Sequence, residues 1–259
     1  MKAAERQLKI QELFAGQEFV DIETLRRALD ASESTVRRDL SELESVGFLR
    51  RVHGGALSVQ SKDELLDFQR QSVRCRDEKI RIGALVASLI EDEQTVILDG
   101  GSTVAEVAKN LLGRRLHVVT NSIPIAEIFY DSRLVELTLT GGFLYPRLGV
   151  LLGPFCEQML ETVSADLLIM GIGGITESGL SNNNTLIVGS ERKMIEASRK
   201  VIIVADHTKF GRKALVHLAP LEEAHVIVTD SETPAEFTEL AKSHGVELLR
   251  AQRVVPPTG

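Results

Sequence analysis

Ser32–Ala56, SESTVRRDLSELESVGFLRRVHGGA, is the stretch whose reading decides the architecture of the first part of the chain. Ser32 suits a helix N-cap, because its hydroxyl oxygen can accept from a free amide of the first turn. Val36, Leu40 and Leu43 follow at four- and three-residue spacing and line one helical face with apolar side chains. At about 100° per residue, Ser34, Arg38, Ser41 and Ser45 fall on the opposite face, with Thr35 and Arg37 at its margins. A short, hydroxyl-rich face bearing arginine suits hydrogen bonding to base edges and phosphates in a major groove. Gly47 stands where a helix C-terminus favours a left-handed residue. Beyond it, Phe48 and Leu49 can return to a core while Arg50, Arg51 and His53 project outward, and Gly54-Gly55 permits a hairpin tip.

Paired arginines on a helix more often just solvate a face, so the residues upstream matter. Leu8, Ile10, Leu13 and Phe14 are compatible with a first helix over Glu5–Phe14, and Asp21 can cap a second in which Ile22, Leu25 and Leu29 share a face. Only Asp30-Ala31 separates that helix from Ser32. Two helices joined by so short a turn, the second polar on its outer face, form the helix-turn-helix pattern. The residues expected to contact double-stranded DNA are Ser32, Ser34, Thr35, Arg37, Arg38 and Ser41 on the helix, with Arg50, Arg51 and His53 on the wing.

Composition sets the outer bounds. With 259 residues, 43% hydrophobic and 26% charged, the chain has room for a small domain and a larger one. No stretch approaches the roughly 18 consecutive apolar residues of a membrane helix, and the start lacks a signal-peptide core. Cys75 and Cys156 lie far apart without metal-ligand spacing, which favours a reducing cytoplasm and no metal site. The net charge of −7 argues against bulk attraction to nucleic acid. Nine basic and ten acidic residues precede Leu57, so only the clustering of arginines on helix and wing supports DNA contact. Phosphate contacts per monomer are few, and useful affinity calls for a homo-oligomer, dimer or tetramer, on repeated half-sites.

After the wing, Val59–Asp63 reads as a hinge and the following stretch as a lead-in helix. Asp77–Ile90 reads as a helix with Ile80, Ala84 and Ala87 in register and Ile82, Leu85, Val86 and Leu89 widening the stripe. Strands are expected over Thr95–Leu98, Leu116–Thr120, Val135–Thr140, Leu167–Gly171, Val201–Ala205, His225–Thr229 and Val246–Leu249, with helical segments between them. Runs such as Val201–Val204 are apolar on both faces, as strands of a covered parallel sheet must be. The expected fold class is α/β: a small winged helix-turn-helix domain (1–57), a linker and lead-in helix (58–76), then a larger domain (77–253) with a mostly parallel sheet covered by helices on both faces.

Ligands of such a sheet sit at the carboxyl ends of its strands. Those ends read Asp99-Gly100-Gly101-Ser102-Thr103, Thr120-Asn121-Ser122, Gly141-Gly142, Gly171-Ile172-Gly173-Gly174 and Asp206-His207-Thr208-Lys209. In the first, two glycines let the backbone approach an anion, and Ser102 and Thr103 offer hydroxyls where a helix begins. Lys209 can supply the countercharge. Any one glycine loop can be merely a tight turn, but five at one sheet edge favour a polar pocket.

Thr35-Val36-Arg37-Arg38-Asp39-Leu40, followed by Arg51-Val52-His53-Gly54-Gly55-Ala56, resembles the DeoR family of bacterial transcriptional regulators. The second half is similar too, through Asp99–Thr103, Asn121, Gly141-Gly142, Asp166, Gly171, Gly179-Leu180 and Ala205–Gly211. The resemblance implies a DNA-binding winged domain ahead of a sensor domain similar to ribose-5-phosphate isomerase. It also implies control of sugar-metabolism genes, commonly by repression, through a phosphorylated sugar or related metabolite, with no cofactor. The implied effector set joins Asp166 to Asp99, Gly100, Gly101, Ser102, Thr103, Asn121, Gly141, Gly142, Gly173 and Lys209. Where many members carry an acidic residue and a lysine, this chain has Gly189 and Glu191, so the chemistry between Asn182 and Glu191 is expected to differ.

Two other classes stand beside this one. A sugar-phosphate isomerase with a fused helical domain would need a general base and a partner acid over the substrate carbons, and Met170–Thr176 does not resemble a catalytic lysine-glycine loop. A dinucleotide-binding reading of Gly171-Ile172-Gly173-Gly174 fails on the placement of the third glycine.

Overall fold

Polar caps and apolar spacing build the first unit from short pieces. The computed structural model describes residues 3–14, 19–45, 48–52, 54–58 and 68–253. Two units emerge, Met1–Arg74 and Cys75–Gly259. In the first, α1 (Ala3–Phe14), β1 (Phe19–Asp21), α2 (Ile22–Leu29) and α3 (Glu33–Ser45) precede the hairpin of β2 (Leu49–Val52) and β3 (Gly55–Ser58), and α4 (Phe68–Val73) follows. Asp21 caps α2 by accepting from the amides of Glu23 and Thr24 at 3.0 and 2.9 Å, and the Thr24 hydroxyl, donating at 2.7 Å, and then the Thr24 amide hold its carboxyl below the usual aspartate range. Asp30 ends the helix in a left-handed conformation, φ 46°, and Ser32 Oγ accepts from the Thr35 amide at 3.3 Å to start α3. Val36, Leu40 and Leu43 are buried against Ile10, Phe14, Leu25 and Leu29, as their spacing requires.

The sheet of this unit has the order β1-β3-β2, antiparallel throughout. β1 is an addition to the expected hairpin, and it explains Gly55: a Cβ there would lie 2.4 Å from the Val20 carbonyl oxygen. Gly54 turns the hairpin with φ +85°. The lead-in helix groups with this unit as α4, where Arg70 donates to the Phe48 carbonyl at 2.7 Å and lies over its ring. The hinge expected over Val59–Asp63 lies outside the described residues, as does Gly47.

In the second unit α5 (Arg76–Ala87) leads into β4 (Thr95–Leu98), α6 (Ser102–Asn110), β5 (Leu116–Thr120), α7 (Ile123–Phe129) and β6 (Val135–Leu139). A hairpin of β7 (Phe143–Tyr145) and β8 (Val150–Leu152) follows, then α8 (Pro154–Leu160), β9 (Ala165–Gly171), β10 (Gly174–Thr176) and β11 (Gly179–Asn182). The unit closes with α9 (Thr185–Glu196), β12 (Ser198–Val204), β13 (Val216–Ala219), β14 (Val226–Asp230), α10 (Glu236–Ser243) and β15 (Glu247–Ala251). Seven strands make one wholly parallel sheet, β15-β14-β12-β9-β4-β5-β6, flanked by helices. Interior strand β14 is buried along its whole length, whereas edge strand β6 is exposed at several positions. Apolar side chains on both faces put a strand in the middle of a parallel sheet.

One helix register differs from its expectation. The buried stripe of α5 is Lys79, Ile82, Gly83, Val86 and Ala87, while Ile80, Ala84 and Leu89 are exposed. Ile82, Val86 and Ala87 are buried as expected, but a buried lysine at Lys79 has no place in an apolar-only stripe, so hydrophobic spacing extended the stripe to Ile80 and Ala84 instead.

Candidate nucleic-acid interface and effector site

On α3 the structure leaves Ser34, Arg37, Arg38 and Ser41 exposed on the side away from the core. Ser32 Oγ lies 3.0 Å from Ser34 Oγ and 2.9 Å from Thr35 Oγ1, a hydroxyl cluster at a helix N-terminus. Arg37 pairs with Glu33 at 2.7 Å, both exposed, an i,i+4 contact weak enough to be exchanged for phosphate. Arg38 has no side-chain partner among the described residues. The expected roles of these residues therefore meet no steric or pairing obstacle.

The wing differs in detail. Arg51 is not simply projected: its amide and guanidinium donate to Glu44 on α3 at 2.8 and 2.6 Å. The backbone and then the side-chain hydrogen bonds of Arg51 hold the Glu44 carboxyl below its usual range. Arg51 thus staples wing to helix while its side chain stays 46% exposed. Arg50 lies on β2, and His53 lies outside the described residues. Asp39, within the family-like motif, points inward instead and receives Arg6 of α1 in two bonds of 2.7 and 3.0 Å. That clamp fixes α3 on α1, a role that helical periodicity alone does not reveal.

In the second unit, parallel pairing brings the carboxyl ends of β12, β9, β4, β5 and β6 to one edge. Gly100 and Gly101, after β4, divide the work. A Cβ at Gly100 would meet Val150 Cγ1 at 2.2 Å, so this glycine lets β8 close over the loop. At Gly101 nothing lies within 4 Å of that position. No side chain caps α6, and Ser102 and Thr103 are buried at its first turn. Free amides beside open space are what an anion needs.

Asn121 stands beside Asp99, because Thr120 and Leu98 are register partners at the ends of β5 and β4. Gly141, φ +75°, borders open space, while Gly142, φ +117°, lies against the Leu152 carbonyl. Gly173 faces inward: its amide donates to the Ser181 carbonyl at 3.1 Å, so it seats β11 rather than a ligand. Asp166 is a correction to the expected set. It is the second residue of β9, at the opposite edge of the sheet, where it accepts from the Thr95 amide at 3.0 Å and pairs with Arg199 at 3.5 Å. A strand's opening residue cannot share a site with strand carboxyl ends.

Lys209 lies on the short turn His207–Lys209, and its charge acts on Asp206. Burial pushes the Asp206 carboxyl up, but Lys209, the Thr208 hydroxyl and amide, and Lys79 together outweigh it and leave the group below its usual range. The other end of the site is acidic. Asp99 and Glu191 are both buried, and burial raises Asp99 to about 7. Glu191 is raised well above the usual carboxylate range by burial and by the charge of Asp99, against the bond it accepts from Asn182 at 2.6 Å. Sequence reading missed Lys79, Asn182 and this pairing. A lysine interrupting an apolar helical face was the available signal for the first, and placement one strand-end away for the second.

A winged helix-turn-helix unit and a parallel α/β unit with glycine loops and buried polar side chains at its strand ends are the parts of a ligand-responsive DNA-binding regulator. Comparison with known proteins agrees. Residues 6–62 match the DeoR-like helix-turn-helix domain and residues 74–231 the DeoR C terminal sensor domain. The transcriptional repressor AccR of Agrobacterium fabrum is 38% identical over 232 residues, covering 88% of this chain and 90% of that protein. The glycerol-3-phosphate regulon repressor of Escherichia coli is 32% identical over 250 residues, covering 96% and 99%. GlcR of Bacillus subtilis, an HTH-type transcriptional repressor, is 32% identical over 249 residues, 96% of each chain. Ribose 5-phosphate isomerase A of Methanocaldococcus jannaschii superposes at a TM-score of 0.40 with 14% identity over 52% of this chain and 55% of that one, too distant to bear on function. The chain belongs to the DeoR family. It is a DNA-binding transcriptional regulator, not an enzyme.

Proposed function

We propose that the protein is a cytoplasmic repressor of carbohydrate-metabolism genes, released from its operator by a phosphorylated sugar or a related metabolite. Residues 1–57 read DNA, 58–76 connect, and 77–253 sense the effector, with a dimer or tetramer engaging repeated half-sites. The observation that carries the effector reading is the loop Asp99–Thr103. It joins open space at Gly101 to the uncapped amides of α6 and two buried hydroxyls, on a sheet edge that also bears Lys79 and Lys209. The phosphate takes the amides, Ser102 and Thr103, and Asp99 takes sugar hydroxyls. The names of the glycerol-3-phosphate regulon repressor and its companions point the same way. A thermal-shift panel of phosphorylated sugars, followed by gel shifts with operator DNA, tests the proposal. A ligand at 100 times its dissociation constant stabilises by about 2.7 kcal/mol, and a panel in which no phosphorylated sugar raises the melting temperature defeats it.

A further inference from the structure

The acidic end of the proposed site holds buried polar atoms that lack partners among the described residues. Glu191, on α9, is 1% exposed, and its Oε1 accepts from Asn182 Nδ2 while Oε2 has no hydrogen-bond partner among the described residues. Asn182 is itself fixed, because its own oxygen accepts from the Asn183 amide at 2.9 Å. Asn121 is 2% exposed; its Nδ2 faces the Leu151 carbonyl, which leaves Oδ1 as a second acceptor without a partner. Asp99, 4% exposed, completes the group and acts electrostatically on Glu191. Lys79 and Lys209 act on Asp206, and neither is among the groups that shift Asp99 or Glu191. Ser190 Oγ, near the Cys156 thiol, has no hydrogen-bond partner among the described residues.

A buried polar atom left without a partner is costly, and two neighbouring buried carboxyls ionise together only at a high cost unless a cation joins them. A hydroxyl group brings one donor, two acceptor lone pairs and no charge. An ammonium brings three donors, no acceptor and the positive charge that lets both carboxyls ionise. We propose that the buried end of the effector site receives a protonated amine, held by Glu191, Asp99 and Asn121, so that the effector is a phosphorylated amino sugar or a similarly compact amino-polyol phosphate. Glu191 is then the specificity-determining residue, and the open Gly101 loop with its helix amides takes the phosphate at the other end of the same molecule. This rests on the sugar-phosphate reading above and narrows it.

The test is calorimetric titration of the full chain with matched pairs: glucosamine-6-phosphate against glucose-6-phosphate, and galactosamine-6-phosphate against galactose-6-phosphate, with inorganic phosphate as control. In at least one pair the amine should bind roughly tenfold tighter or more, about 1.4 kcal/mol, and Glu191→Gln should remove most of that preference by weakening the amine more than its hydroxyl partner. Equal binding within both pairs, or a preference that survives Glu191→Gln, overturns the amine and leaves the sugar-phosphate reading standing. If none of the four sugars binds better than inorganic phosphate, the sugar-phosphate reading fails and the amine with it.

Discussion

At the scale of single residues, the Asp99–Glu191 pair ties stability to pH in a direction that can be worked out. Asp99 rises from 3.8 in the unfolded chain to about 7 in the folded one, chiefly through burial. Between those values the folded protein keeps a proton that the unfolded chain has lost, so stability falls as pH rises. The contribution is complete below 3.8 and gone above about 7. Glu191 is a second such carboxyl, raised from 4.5 by burial and then by the charge of Asp99. Glu191→Gln removes its share, so the melting temperature should fall less steeply with pH above 4.5 than in the native chain. Parallel pH profiles for the two proteins would defeat the raised Glu191 carboxyl. A second residue-scale outcome concerns α3. Arg38 is exposed and has no side-chain partner among the described residues, so Arg38→Ala should weaken operator binding about tenfold, the low end of the 1–3 kcal/mol typical of one base-directed pair. Unchanged gel shifts for both Arg37→Ala and Arg38→Ala would remove α3 from the interface.

At the scale of elements, the wing is coupled to the recognition helix through one pair, Arg51 and Glu44. Arg51→Ala should weaken specific and non-specific DNA about equally and flatten the salt slope by about one unit. Glu44→Ala separates the two roles of that arginine. If Arg51 mainly holds the wing in place, Glu44→Ala weakens operator binding too; if Arg51 mainly touches phosphate, freeing it leaves affinity the same or higher. The elements legible in sequence were those whose signal is local. All seven strands of the main sheet could be located because they are apolar on both faces or flanked by glycine turns, and α3 was legible through Val36, Leu40 and Leu43. What escaped was set by distant partners. β1 and β7 have three residues each, and β11 pairs with β13 across the whole of α9 and β12. Asp39 was read as part of a motif, but its place in the core depends on Arg6, thirty-three residues away. Asp166 was misplaced for a simpler reason: it came from the family resemblance alone, although it precedes the expected strand Leu167–Gly171 and so falls at that strand's amino end.

At the scale of the whole molecule, regulation requires that the effector favour one arrangement of the chain over another. For an effector to lower operator affinity 100-fold, it must prefer the DNA-free form by the same factor, about 2.7 kcal/mol, and saturating operator must then weaken effector binding equally. Lys209 is a suitable residue for severing the two. It is the cation of the proposed effector site, beside Asp206 in the unit that begins at Cys75, and lies on none of the elements proposed to face DNA. Lys209→Ala should abolish the response of DNA binding to the effector while ligand-free operator affinity stays at the native level. Operator titrations with and without the best ligand of the sugar-phosphate panel measure both quantities in one experiment. A Lys209→Ala protein that still releases DNA at the native ligand concentration, together with a Thr103→Val protein that does the same, would place the effector away from this sheet edge. A Lys209→Ala protein that loses operator affinity without ligand would show instead that this lysine supports the DNA-competent arrangement itself.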